Sequence, residues 1–218
     1  MSSPIALTVA CLAFVAALLV ADRLGSQLQQ APAKLGASTC FVLVALSLGA
    51  PGSRYGQLVL GGLVLGWFGD ALLLSRRSTV FLAGLGAFLL AHIAYAAAFL
   101  SGPWSRPAAA AAVAAAFVFG WVVLRWLHPH IPASFKGPVL AYVLVILAMC
   151  VSAAGYSHAT GRWYVLAGAV LFAASDISVA RDRFVQPTYG NRLWGRPTYF
   201  VAQLLLAWSV HSAVTEYA

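Results

Sequence analysis

Residues 79–100 read TVFLAGLGAFLLAHIAYAAAFL, a run of 22 residues without any Asp, Glu, Lys or Arg. A helix of this length rises roughly 33 Å, enough to cross the roughly 30 Å hydrocarbon core of a bilayer. Similar apolar runs, bounded by Pro, Gly or charged residues, fill most of the chain. We therefore predict an all-α fold, a polytopic transmembrane helical bundle of about eight spans that forms one domain over residues 1–218. The predicted spans are 5–21, 35–50, 56–74, 79–100, 107–127, 138–154, 162–180 and 197–215.

The composition leads to the same class of protein. The chain has 218 residues, of which 62% are hydrophobic and 8% charged, and its mean hydropathy is +0.88. Soluble domains carry roughly 25% charged residues, so an ordinary soluble fold is excluded. The net charge of +8 would suggest a nucleic-acid partner in a soluble protein. Here the basic residues lie in short loops, where they orient helices and contact lipid head groups, so we predict membrane lipids and no nucleic acid as partners.

The distribution of basic residues predicts the orientation of the bundle. The odd-numbered loops hold ten basic residues: Arg23, Lys34, Arg76, Arg77, Arg125, Lys136, Arg181, Arg183, Arg192 and Arg196. The even-numbered loops hold three: Arg54, Arg106 and Arg162. By the positive-inside rule the odd loops face the cytoplasm, both termini lie outside, and the number of spans is even. We expect a bacterial-type inner (plasma) membrane protein.

Two acidic residues stand inside apolar runs. Of the five Asp and Glu residues, Asp22 and Asp182 are expected at loops and Glu216 near the C-terminus, which leaves Asp70 and Asp176. A carboxylate at membrane depth costs about 2.5–3.5 kcal/mol on insertion scales and marks a functional site by default. Asp70 and Asp176 are therefore the candidate catalytic residues.

The segments around these two aspartates look alike. Residues 63–77 (LVLGWFGDALLLSRR) and 169–183 (AVLFAASDISVARDR) each have a small residue, an Asp, and a basic pair a few positions later. At 1.5 Å per residue each carboxylate is expected roughly 8 Å inside its arginines, in the cytoplasmic leaflet. The likeness also predicts a weak 4+4 internal repeat, with spans 1–4 matching spans 5–8.

Other polar side chains fall at similar heights. Lys34 opens the second span and Tyr142 the sixth, and Tyr199 and Gln203 share one face of the eighth because they are four residues apart. His92 is expected to lie higher, roughly 21 Å up the fourth span. Contact with a ligand and hydrogen bonding between helices are both open for these residues. A zinc site would need three or more converging ligands, which the sequence does not offer, and GxSxG and phosphate-binding glycine motifs are also missing.

The ordered set of motifs resembles the YhhN-like lysoplasmalogenase family. The resemblance rests on GDALLLSRRSTVFLAGLGAFLLAHIAYAAAF (69–99), GAVLFAASDISVARDRF (168–184) and RPTYFVAQLLLA (196–207). It implies that Asp70 and Asp176 are the catalytic pair. It also implies a pocket surrounded by Lys34, His92, Tyr142, Tyr199 and Gln203.

The activity implied by the resemblance is hydrolysis of the vinyl ether bond of a lysoplasmalogen, which yields a fatty aldehyde and a glycerophospho-alcohol. Two carboxylates suit this chemistry, because one can deliver a proton to carbon while the other stabilises the oxocarbenium-like centre, as in glycosidases. Lys34 and Arg181 could hold the substrate phosphate. No metal or organic cofactor is predicted.

Two alternatives use the same residues. A proton-coupled transporter of lipids or small molecules would also place paired acids within the membrane. It predicts polar groups at both faces of the bundle, whereas those identified here concentrate on one. A non-catalytic interaction protein would have no use for two intramembrane aspartates.

Overall fold

The computed structural model describes residues 3–75 and 77–215, so Arg76 and Glu216 lie outside the described residues. Within these ranges the chain forms eight α-helices and no strand. The helices are α1 (Pro4–Arg23), α2 (Gln27–Ser47), α3 (Arg54–Leu72), α4 (Ser78–Leu100), α5 (Arg106–Leu127), α6 (Ala133–Thr160), α7 (Trp163–Ala180) and α8 (Tyr189–Thr215). The predicted helical fold class is confirmed.

Five of these helical segments are long and apolar enough to cross a membrane. They are Pro4–Arg23, Ser78–Leu100, Arg106–His130, Ala133–Thr160 and Trp163–Val185. The other helices, α2, α3 and α8, each start with a polar stretch, such as Arg54 to Gln57 in α3. Together the helices form an integral membrane bundle.

The helices pack mainly as pairs of sequence neighbours. The most extensive contacts join α3 with α4, α7 with α8 and α1 with α2, while α8 also packs on α1, α2 and α3. Helix α5 packs on α6 and buries only Ala109, Gly120 and Leu127 among its described residues. Aromatic side chains, among them Phe88 and Phe172, fill the centre of the bundle.

Three helices extend beyond the predicted spans. Helices α2, α6 and α8 begin at Gln27, Ala133 and Tyr189, whereas the predicted starts are 35, 138 and 197. The prediction that Pro138 and Pro197 open their helices is wrong, since both lie inside them. The apolar runs mark the part of a helix that suits a bilayer, while polar residues continue the helix beyond it, and proline is tolerated where neighbouring groups satisfy the freed carbonyl.

Helix α7 is also longer than its apolar run. It continues as a π-helical turn from Arg181 to Val185, so that helical structure extends nine residues beyond Asp176. The Asp176 carboxylate therefore lies further from the end of the helical segment than the spacing between Asp176 and Arg181 indicates. The Asp176 carboxylate lies 3.7 Å from His92 in α4.

Candidate active site

Asp70 is held by three polar partners near the end of α3. Its Oδ2 accepts hydrogen bonds from Ser38 Oγ at 2.6 Å and Tyr199 OH at 2.7 Å. Its Oδ1 lies 3.0 Å from Lys34 Nζ. The residue is 2% exposed. A buried carboxylate with a cationic partner and two further donors is the arrangement in which a charge is tolerated away from water.

A chain of hydrogen bonds fixes Tyr199 behind this carboxylate. Gln203 Nε2 donates to Tyr199 OH at 3.0 Å, and Tyr95 OH donates to Gln203 Oε1 at 2.7 Å. The chain runs close to Gly66, where an added Cβ would come within 2.6 Å of Gln203 Nε2. A glycine is therefore required for α8 to approach α3 closely enough to reach Asp70.

Asp176 on α7 has different surroundings. Its Oδ2 accepts a hydrogen bond of 2.9 Å from Tyr142 OH on α6. His92 Nε2 on α4 lies 3.7 Å from the same oxygen. The imidazole is fully buried and meets Phe172 and Tyr142 edge-on at centroid distances of 4.6 and 5.2 Å. In contrast to Asp70, Asp176 has no Lys or Arg within ion-pair distance among the described residues.

The contact between His92 and Asp176 corrects the expected heights. His92 was expected well above both aspartates, yet its ring touches the carboxylate of Asp176. Helical structure continues from Arg181 to Val185, so Asp176 lies nine residues, and not five, from the end of its helical segment. The expectation that the two aspartates lie at the same depth rested on the same spacing argument and loses that support.

The partners of the two aspartates follow a two-fold pattern. Asp70, on the third helix, is bonded to the second helix through Lys34 and to the eighth through Tyr199. Asp176, on the seventh helix, contacts the sixth through Tyr142 and the fourth through His92. Each aspartate thus contacts the second helix of its own half and the last helix of the other half. This is the relation that a 4+4 duplication produces.

Both aspartates line one cavity of about 660 Å³. Lys34, Tyr142 and Tyr199 lie in its wall with them, as the sequence predicts for pocket residues. His92 and Gln203 are fully buried, do not belong to the lining, and contact the lining residues Asp176 and Tyr199. Arg181 is exposed and does not belong to the lining.

Basic residues other than Arg181 line the cavity. Arg192 and Arg196 on α8 line the cavity together with Asp182. Arg192 Nε lies 2.9 Å from Asp182 Oδ2, and Arg196 Nη1 lies 2.7 Å from Asp22 Oδ2. Asp22 was expected at a loop, but it is buried in the last turn of α1. The two acids fix the arginine side chains at the polar end of the cavity.

Another part of the cavity wall is apolar. It is formed by side chains of α4, α5 and α6: Leu85, Phe119, Val123, Val143, Ile146 and Leu147. The cavity therefore suits an amphiphile with one charged end and one hydrocarbon chain. Across residues 3–75 and 77–215, no group of three His, Cys, Asp or Glu side chains is placed to hold a metal ion.

Some site residues escaped the sequence analysis. Ser38 could have been found, since it follows Lys34 by four residues and so shares its helix face. Arg192 and Arg196 were counted only as loop charges, because α8 was expected to start after them. The sequence around Asp22 does not indicate that this residue pairs with the two arginines, because the pairing joins α1 to α8, which are far apart in the sequence.

Comparison with known proteins identifies the family of the chain. The model of the YhhN family matches residues 29–210. The chain is 32% identical over 154 residues to Lysoplasmalogenase TMEM86A of Bos taurus, covering 68% of this chain and 62% of that protein. It is 34% identical to Lysoplasmalogenase TMEM86B of Homo sapiens over 73% of this chain and 66% of that protein. It is also 34% identical to Lysoplasmalogenase of Mycobacterium bovis (strain ATCC BAA-935 / AF2122/97), over 78% of this chain and 66% of that protein.

These matches cover most of this chain but only part of the length of each relative. The chain spans 62 to 66% of the length of the three relatives named above. No solved structure gives a significant match. The family match includes both aspartates, their partners on α2, α4, α6 and α8, and the arginines of the cavity. On this extent of similarity, the chain belongs to the YhhN family.

Proposed function

We propose that this protein hydrolyses the vinyl ether bond of lysoplasmalogens and releases a fatty aldehyde and a glycerophospho-alcohol. The observation that carries the proposal is one cavity lined by arginine side chains, by apolar side chains and by two carboxyl groups, the buried Asp70 and the partly buried Asp176. The names of the relatives support the same activity. A lysoplasmalogen has one phosphate-bearing head and one chain, and its reactive bond lies between them.

The ends of the cavity fit the two ends of this substrate. Arg192 and Arg196 can donate to phosphate oxygens, to which a guanidinium binds with two parallel hydrogen bonds. The chain would lie along Phe119 and Ile146, where apolar contact favours hydrocarbon over water. Asp70 is tied to the cationic side through Lys34, while Asp176 is tied to α6, which supplies part of the apolar wall.

The surroundings of the two carboxyl groups favour different roles. Asp70 is paired with Lys34 and accepts two hydroxyl hydrogen bonds, which stabilise its ionised form. Asp176 is contacted by a phenol and an imidazole and, among the described residues, by no Lys or Arg. No cation therefore favours its ionised form over its neutral form. We therefore assign Asp176 as the proton donor and Asp70 as the negative charge that stabilises the cation.

The reaction then balances with water as the second substrate. Asp176 gives its proton to the alkene carbon remote from the ether oxygen, and the double-bond electrons form the new C–H bond. The resulting oxocarbenium centre is stabilised by Asp70 and attacked by water, whose proton returns to Asp176. The hemiacetal breaks down to aldehyde and alcohol as a proton moves from its hydroxyl to the leaving oxygen.

A transporter with the same aspartates would need a polar route to the opposite end of the bundle. The polar groups Tyr55 and Ser209, towards that end, are hydrogen bonded to each other at 2.8 Å and lie outside the cavity lining. This one-sided position of the cavity supports the hydrolase over the transporter.

Isotope labelling of the product tests the proposed reaction. Purified protein is given a 1-alkenyl lysophospholipid in D₂O or in ¹⁸O-water, and the aldehyde is reduced at once and analysed by mass spectrometry. We expect one solvent deuterium on the carbon next to the carbonyl and solvent ¹⁸O in the aldehyde. Label in the glycerol hydroxyl, or turnover only of a 1-acyl control lipid, would contradict it. Absence of product together with proton-coupled lipid uptake into vesicles would favour the transporter.

A further inference from the structure

His92 is a fully buried polar residue that the proposed reaction has not yet used. Within the part of the chain that the structure describes, neither Nδ1 nor Nε2 of its imidazole has a hydrogen-bond partner. Leaving such atoms unpaired costs free energy. The ring is nevertheless fixed, because Phe172 and Tyr142 both pack against it edge-on. A rigid, unpaired imidazole beside a catalytic carboxyl points to a role that appears during the reaction.

The geometry indicates which atom it serves. Nε2 lies 3.7 Å from Asp176 Oδ2, the same oxygen that accepts the hydrogen bond of Tyr142 at 2.9 Å. Two donors directed at one oxygen form the arrangement that stabilises a developing anion. Catalytic hydrogen bonds are often long before substrate binds and shorten as charge develops.

We propose that His92 and Tyr142 form a two-donor anion hole for Asp176. As Asp176 passes its proton to the vinyl ether carbon, its carboxylate gains a full negative charge on Oδ2. His92, in the tautomer that carries the proton on Nε2, then donates to this oxygen beside Tyr142 and keeps its own proton. The inference rests on the proposed function, since it assigns a partner to the proposed acid.

This role differs from the substrate contact expected from the sequence. His92 lies behind the cavity wall, so that it touches Asp176 and not the lipid. It is therefore a positioning residue. The groups that face its ring are Asp176 and Phe172 from α7 and Tyr142 from α6.

A matched pair of substitutions separates hydrogen-bond donation from packing. His92→Gln keeps an amide N–H that can reach Oδ2, while His92→Met has a similar volume and no donor. We expect His92→Met to lower kcat by about a hundredfold or more, the scale for loss of one such donor. KM should stay within about twofold of wild type, and His92→Gln should recover part of kcat. The control is His158→Phe, at an exposed histidine near the end of α6.

The experiment measures kcat, KM and thermal stability of these variants with a 1-alkenyl lysophospholipid in detergent. Equal kcat for His92→Gln and His92→Met overturns the inference, as does a loss that appears only in KM. Should His92→Met fail to fold, His92→Phe, which keeps a flat ring, replaces it in the comparison. A wild type that releases no aldehyde refutes the proposed function itself, whereas an active wild type with an equally active His92→Met refutes only the anion hole.

Discussion

Asp70 and Asp176 occupy corresponding places in the two halves of the bundle, but only Asp70 is paired with a lysine. Lys34 Nζ lies 3.0 Å from Asp70 Oδ1, whereas Asp176 is contacted by the phenol of Tyr142 and the imidazole of His92. A duplicated set of helices can in this way present two carboxyl groups in different electrostatic surroundings. Chemistry that divides acid and cation-stabilising roles between two carboxyls depends on such a difference.

The pairing of Lys34 with Asp70 predicts a stability effect. Lys34→Met removes the cation and leaves a carboxylate that is 2% exposed without its counterion. Breaking a buried ion pair from one side costs about 3–5 kcal/mol, so we expect a clear fall in the apparent Tm measured in detergent. Lys34→Met/Asp70→Asn should recover much of this fall, because it removes both charges. A single variant as stable as wild type, or a double variant no better than the single, would argue against the pair.

The close approach of α8 to α3 predicts an effect at a glycine. An alanine at Gly66 would place its Cβ 2.6 Å from Gln203 Nε2, an amide that is buried and bonded at both ends. We expect Gly66→Ala to disturb Tyr199, and through it Asp70, and to lower both Tm and aldehyde release. Gly61→Ala on the same helix is the matched control, since an added Cβ there meets nothing within 4 Å. Two variants with the same activity and Tm would show that the approach at Gly66 is unimportant.

The helical architecture was accessible from the sequence, because long uncharged apolar runs such as residues 79–100 leave few alternatives. The helix boundaries were not accessible in the same way. Polar residues before Pro138 and Pro197 continue the helices beyond the apolar runs, and the sequence pattern does not mark where they start. Lys34, Tyr142 and Tyr199 as residues of the cavity wall followed from spacing and family motifs, whereas Ser38 as a partner of Asp70 did not. The contact of His92 with Asp176 did not follow, because counting residues along separate helices does not give their relative heights in the bundle.

The arginines at the polar end of the cavity predict head-group specificity. Arg192→Gln removes a guanidinium from the cavity wall, so KM should rise about tenfold for a 1-alkenyl lysophospholipid, for the loss of one charge-assisted contact. KM for a 1-alkenylglycerol without phosphate should not change. Arg125→Gln, at an exposed arginine on α5, serves as control. An equal rise in KM for both lipids would mean that Arg192 maintains the fold rather than binding phosphate.

The excess of basic residues in odd-numbered loops predicts the membrane orientation. Both termini should lie outside, with the Arg192 end of the cavity towards the cytoplasm. A reporter fused to the C-terminus distinguishes the two orientations. We expect a fusion to alkaline phosphatase to be active and a fusion to green fluorescent protein to be dark. The reverse pattern would overturn the orientation and leave the proposed chemistry unchanged.

Aldehyde release by the wild type, Asp176→Asn and Asp70→Asn tests the account most directly. Asparagine keeps the shape of each side chain but cannot exchange the proton, and size-exclusion profiles and Tm values establish that each variant is folded. We predict aldehyde from the wild type, a loss of about a hundredfold or more in folded Asp176→Asn, the scale of a general acid, and a lowered kcat in Asp70→Asn. An inert wild type, or an Asp176→Asn variant that retains the wild-type rate, would contradict the assignment of Asp176 as the proton donor.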